Sequence, residues 1–136
     1  SFSPSVWNLV EQLDMEKNNV LEAFGCERLD YLDACKFRNA NDLSEKSLEV
    51  FQSYAASGGP KGPQTLNTRF IYEDIPNGLC LLSSLSSHIG LKTPVCDSLI
   101  TIGSSLMRTD YWRVARTTSR LGLANLTKEQ IIDLIS

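Results

Sequence analysis

The chain has one histidine, His88, so any histidine-dependent chemistry carried by these 136 residues alone must use that side chain. It has four cysteines, Cys26, Cys35, Cys80 and Cys96, and none forms a CxxC pair. With a single histidine they cannot complete a Cys/His zinc set at the usual ligand spacing. They read as reduced, mostly buried small hydrophobes of a cytoplasmic protein, with a Cys26–Cys35 disulfide as the alternative. No apolar run approaches the roughly 20 residues of a membrane span. No basic segment precedes an apolar one at the start, so a signal peptide is not expected. The chain opens Ser1-Phe2-Ser3-Pro4 without an initiator Met, which reads as a processed product or a piece of a longer protein. A net charge of −3 works against nonspecific nucleic-acid binding. There is no GxGxxG for a dinucleotide and no convincing period-two alternation for a sheet.

What is present is helical. The length suits one domain with a real core. Ser3-Pro4 supplies an N-cap and a first-turn proline, and Val6, Leu9, Val10, Leu13, Val20, Leu21 and Phe24 follow at helical spacing up to Gly25. A weaker helix is expected over about 29–37. A third is expected from the Asp42/Glu45 capping box to about Ala56, carrying Leu43, Leu48, Val50 and Phe51. Ser57-Gly58-Gly59-Pro60-Lys61-Gly62-Pro63 breaks the chain. Its spacing is not GxxxxGK[ST], and it lacks the flanking strand and helix of a phosphate loop, so it reads as a loop leading into Arg69. Beyond it, Ile75, Leu79, Leu82, Leu85 and Ile89 are expected to face inward. Ser83, Ser84, Ser86 and Ser87 flank them and suit either close helix approach or an exposed polar face. Val95, Leu99, Ile102 and Leu106 form the next stripe, and Gly103-Ser104-Ser105 keeps that helix slim for a crossing neighbour. Asp110 caps a short segment, and Thr127/Gln130 is a capping box for a last helix. The fold class is therefore all-α, a single domain of about six or seven helices.

The stretch that carries chemistry is Arg69-Phe70-Ile71-Tyr72-Glu73-Asp74-Ile75-Pro76-Asn77-Gly78-Leu79. Pro76 places Glu73–Pro76 in a first turn, which puts Arg69 on extended chain and Asp74 at a helix N-terminus. There the dipole favours a carboxylate. A fixed carboxylate beside a guanidinium suits an acidic substrate or the orienting of a catalytic imidazole. The plain alternative is a helix-start acid and a surface arginine. His88 near a helix end reads as structural, and Arg113, Arg116 and Arg120 on one helical face read as a solvated face or an ion pair, with a phosphate site as the alternative. Such a domain is an interaction module or one half of an enzyme.

The same stretch resembles the R-Y-x-x-E-D-V-P-x-G-L signature of the opine (octopine/nopaline) dehydrogenases. The likeness continues in order through Thr93-Pro94-Val95, Asp97-Ser98-Leu99-Ile100, Asp110-Tyr111-Trp112, Arg116-Thr117 and Leu121-Gly122-Leu123. Upstream, Ser3-Pro4-Ser5-Val6 and Glu11-Gln12-Leu13-Asp14 resemble the start of the same domain. The resemblance implies a C-terminal helical bundle of the 6-phosphogluconate dehydrogenase kind, lacking the N-terminal dinucleotide-binding domain. It implies an NAD(P)-dependent oxidoreductase that condenses an amino acid with a 2-oxo acid, with NAD or NADP bound mainly by the missing domain. By motif, Asp74 takes the place of the aspartate that orients a catalytic histidine, and Arg69 that of the arginine holding a substrate carboxylate. The family histidine lies upstream in an Asn…His-Pro context absent here, and His88 does not match it. Ala115 replaces a usual glycine, and Tyr72 a frequent threonine. The fragment alone is expected to be inactive, and apolar surface left by the missing domain allows a homodimer. A non-catalytic helical interaction or dimerisation module that has kept the fold is the competing expectation.

Overall fold

The computed structural model describes residues 3–58 and 62–136. The breaker loop at 57–63 therefore falls partly outside the described residues. Seven α-helices are found among the described residues, and no strand. They are α1 (Pro4–Ala23), α2 (Tyr31–Asn39), α3 (Ser47–Ala56), α4 (Arg69–Tyr72), α5 (Cys80–His88), α6 (Pro94–Met107) and α7 (Lys128–Ile135). None of the helices among the described residues is long and apolar enough to cross a membrane.

Local chemistry sets most of the ends. Ser3 accepts the Val6 N–H at 3.3 Å and Pro4 opens α1. Gly25, at φ +76°, ends it in the left-handed region that only glycine adopts at no steric cost. Asp110 accepts the Trp112 N–H over a 3-10 turn, Tyr111–Arg113, and Thr127 with Gln130 forms the capping box of α7.

Two expectations are corrected. The Asp42/Glu45 pair does form, with Glu45 Oε1 accepting the Asp42 N–H at 2.9 Å, but it closes an isolated turn. The helix begins only at Ser47, whose hydroxyl donates to Asp33 of α2, so α3 starts where it can pair with α2. In α6 the inward face is Cys96, Ile100 and Gly103, while Ile102 and Leu106 are each 54% exposed. Glycine and cysteine weigh little in a hydrophobic stripe, yet they let α6 come close.

Helix α1 packs on α5 and α6. One core gathers Ile75, Cys80, Cys96, Ile100, Tyr111 and Ala115, and a second holds Val20, Phe24 and Ile131. Burying each isoleucine here contributes about 1.5–3 kcal/mol. Ser83 and Ser86 lie buried, in keeping with close approach, and Ser83 Oγ donates to Asp97 Oδ1 at 2.6 Å. All four cysteines are free, three buried and Cys26 exposed.

Candidate functional site

Thr68 is extended (φ −133°, ψ 157°), and the chain turns helical at Arg69. The Glu73 N–H reaches the Arg69 carbonyl at 2.8 Å and the Asn77 N–H the Glu73 carbonyl at 3.0 Å. Arg69 is thus helical rather than extended, and Asp74 has helical torsions (φ −72°, ψ −32°) inside a nearly continuous run to His88. Pro76 has no N–H and its ring crowds the preceding turn. The chain answers with a wide π turn over Ile75–Leu79, in which the Cys80 N–H bonds the Ile75 carbonyl, five residues back. Proline here marks a widened turn inside a helix, where the sequence reading expected a helix start.

Within the wide turn the Pro76 carbonyl accepts the Arg116 N–H at 2.9 Å. This bond pins the segment after the 3-10 turn against the turn that follows Asp74. Gly103 opposite lacks a side chain; a Cβ there would stand 2.2 Å from Ile75 Cδ1. The backbone carrying Asp74 is therefore held from two sides.

Arg69 and Asp74 are both exposed. Among the described residues no ion pair or hydrogen bond joins them, and the Arg69 guanidinium lies 5.6 Å from the centre of the Phe70 ring. The sequence brings them close along the chain, but the structure leaves each charge free to meet another group. His88 is placed otherwise. Its Nε2 bonds the Leu126 carbonyl at 2.7 Å, tying α5 to the loop before α7. It sits fourteen residues beyond Asp74, roughly 20 Å along a helix, and beyond the reach of its carboxylate.

Arg113, Arg116 and Arg120 do not share one helical face. The 3-10 turn ends at Arg113, turns follow, and the Arg120 guanidinium donates to the Arg113 carbonyl. Among the described residues no three His, Cys, Asp or Glu side chains are grouped to hold a metal ion. A dinucleotide diphosphate needs a glycine-rich turn between strand and helix, and the described residues contain no strand. The described residues do not supply that turn.

The most telling residue missed by sequence reading is Glu16, in the middle of α1. It is 7% exposed, and its two oxygens accept the Val95 and Cys96 N–H groups at 2.7 and 2.9 Å. Its partners lie some eighty residues away, so no local signal announced it. Burial pushes the Cys80 thiol up to about 11, helped by the Asp110 carboxylate, and the Cys96 thiol to about 12, helped by Asp97 and Glu16. These thiols are packed, protonated groups with little nucleophilic character.

Fold and site together define an all-α domain that offers a cation and a carboxylate from one interrupted helix. Residues 1–107 match the family of the NAD/NADP octopine/nopaline dehydrogenase alpha-helical domain, and the chain belongs to that family. It is 35% identical over 127 residues to an opine dehydrogenase of Arthrobacter sp. (strain 1C), covering 92% of this chain and 34% of that protein. It is 24% identical over 132 residues to protein ocs of Agrobacterium vitis (96% and 36%), and 23% identical over 137 residues to vitopine synthase of Allorhizobium ampelinum (99% and 37%). The chain thus spans about a third of the length of these relatives.

Proposed function

We propose that this chain is the substrate-side domain of an NAD(P)-dependent opine dehydrogenase that joins the amine of an amino acid to the carbonyl carbon of a 2-oxo acid. Family membership supports the reaction class. The observation that carries the local reading is the exposed, mutually unpaired Arg69 and Asp74 on either side of one helical turn, its backbone clamped by Arg116 and by the close approach of Gly103. A nicotinamide, when bound, would supply the hydride and would be held by a part of the parent protein outside this chain, which spans about a third of its relatives' length.

In this reading Asp74 accepts an imidazole N–H from a histidine of that other part and fixes the ring orientation. It stabilises the imidazolium that forms when the ring takes a proton. Arg69 holds a substrate carboxylate with its two-pronged fork, a geometry lysine cannot copy. Neither group alone completes the site, so the isolated chain is inactive.

The test uses the full-length parent protein. Asp74→Asn keeps the shape and removes the charge. Turnover of an amino acid, a 2-oxo acid and NAD(P)H should fall by about 10²–10⁴-fold with unchanged circular dichroism. Turnover equal to the unsubstituted protein would take Asp74 out of the mechanism.

A further inference from the structure

The reaction proposed above brings two acids together, and Asp74 adds a third carboxylate. Arg69 can fork only one of the substrate carboxylates. Crowding the other beside Asp74 without a second cation would cost binding through like-charge repulsion.

The wide turn points to where that cation is. The Pro76 carbonyl, two residues past Asp74, accepts the Arg116 N–H at 2.9 Å. Ala115, next to Arg116, is fully buried in the core that also holds Ile75. The backbone of Arg116 is thus fixed on both counts, while its side chain is exposed. Among the described residues its guanidinium has no hydrogen bond or ion pair. Several cations are engaged, Lys17 with Asp14, Arg28 with Glu22 and Arg120 with the Arg113 carbonyl, and among the described residues none of the others has its main chain bonded to the turn that follows Asp74. Arg113 is also exposed, but no bond ties it to the turn carrying Asp74.

We propose that Arg116 is the second carboxylate-binding residue of this site, holding the acid group of whichever substrate Arg69 does not hold. The proposal rests on the opine dehydrogenase reading. It assigns Arg116 a binding role, because the main-chain bond that positions it survives any side-chain change.

In the full-length parent protein, kinetics are measured with each substrate varied in turn. They are repeated with the decarboxylated analogue of each, an amine for the amino acid and an aldehyde for the 2-oxo acid. Arg116→Ala should raise KM for one substrate by about tenfold or more, with kcat and the other KM within about twofold. The preference for that acid over its decarboxylated analogue should shrink by the same factor. Arg69→Ala should do this to the other substrate, Arg116→Lys should keep part of the preference, and Arg113→Ala should change neither. Arg116→Gln, with circular dichroism as the check, replaces the alanine variant if that one does not fold. An active parent protein whose Arg116 variants keep both preferences overturns this assignment alone. A parent protein that turns over no amino acid and 2-oxo acid pair overturns the reading beneath it, and this assignment with it.

Discussion

Glu16 belongs to α1, yet the helix it caps is α6. Two backbone donors that no side chain of α6 satisfies are met by one buried carboxylate, which also faces the positive end of the α6 dipole. Glu16→Ala leaves the buried Cys96 N–H and the half-buried Val95 N–H without this partner, so urea denaturation should show a loss of about 2–3 kcal/mol. Glu16→Gln should lose less, because one carbonyl oxygen remains to accept; a change below about 0.5 kcal/mol for Glu16→Ala would show that water replaces the cap. The Cys80 and Cys96 thiols make a separate prediction. Both are raised from an ordinary 9.0, to about 11 and about 12, so the fold favours the neutral thiol. Their contribution is complete below the ordinary value and is lost as pH rises through the folded values. Stability measured from pH about 8 to about 11 should therefore fall, and Cys80→Ala should flatten part of that slope. In the native protein a disulfide reagent should label exposed Cys26 quickly, and Cys80 and Cys96 only on unfolding. Fast labelling of either buried thiol contradicts the packing described.

At the scale of elements, the closest approach is that of α6 to the π turn. A Cβ on residue 103 would meet Ile75 Cδ1 at 2.2 Å, and Ile75 is buried with little room to swing away. Alanine would otherwise favour a helix over glycine by about 1 kcal/mol, so any net loss measures the clash. Gly103→Ala should destabilise by about 1–2 kcal/mol. Ile75→Val removes Cδ1, and in that background the loss should shrink, giving a coupling above about 0.5 kcal/mol in a double-mutant cycle. Additive effects would mean the two helices are farther apart than described. Elements whose ends are set by neighbours in sequence were legible from the sequence: Ser3-Pro4, Gly25, Asp110 and Thr127/Gln130 all act locally. What depended on a partner helix was not. The start of α3 waits for α2, and the inward face of α6 runs through Cys96 and Gly103, beside the stripe that Ile102 and Leu106 suggested. The candidate site was half legible in the same sense. Arg69 and Asp74 stand out by type and order, but Pro76 has two outcomes, a helix start or a wide turn. Contacts with Gly103 and Arg116 accompany the second.

Across the whole molecule, packing divides the described residues into two parts with different supports. Helices α5 and α6, the π turn and the 3-10 turn surround the Ile75–Ile100 core, while α2 and α3 pack chiefly on each other. The α2–α3 pair is fastened to α1 by polar bonds at one level. Asn18, fully buried, donates to Asp30 Oδ1 at 2.8 Å and accepts the Leu29 N–H at 3.0 Å, and Asp14 accepts the Tyr31 N–H at 2.8 Å. Trp7, Tyr31 and Phe51 pack their rings together beside this joint, Tyr31 edge-to-face with both others and Trp7 tilted against Phe51. Asn18→Leu replaces two bonds with an apolar side chain and leaves the Leu29 N–H without its acceptor, a local cost of about 1–3 kcal/mol. Hydrogen exchange should then quicken in α2 and α3 by about 10–100-fold, with α5 and α6 amides slowed much as before. Equal acceleration in every helix would show one cooperative unit instead. Arg69, Asp74 and Arg116 all sit on the α5–α6 part, so loosening α2 and α3 should spare any chemistry that depends on those three residues. A parent protein carrying Asn18→Leu that lost activity while its α5 and α6 amides stayed protected would place part of the substrate site on α2 and α3.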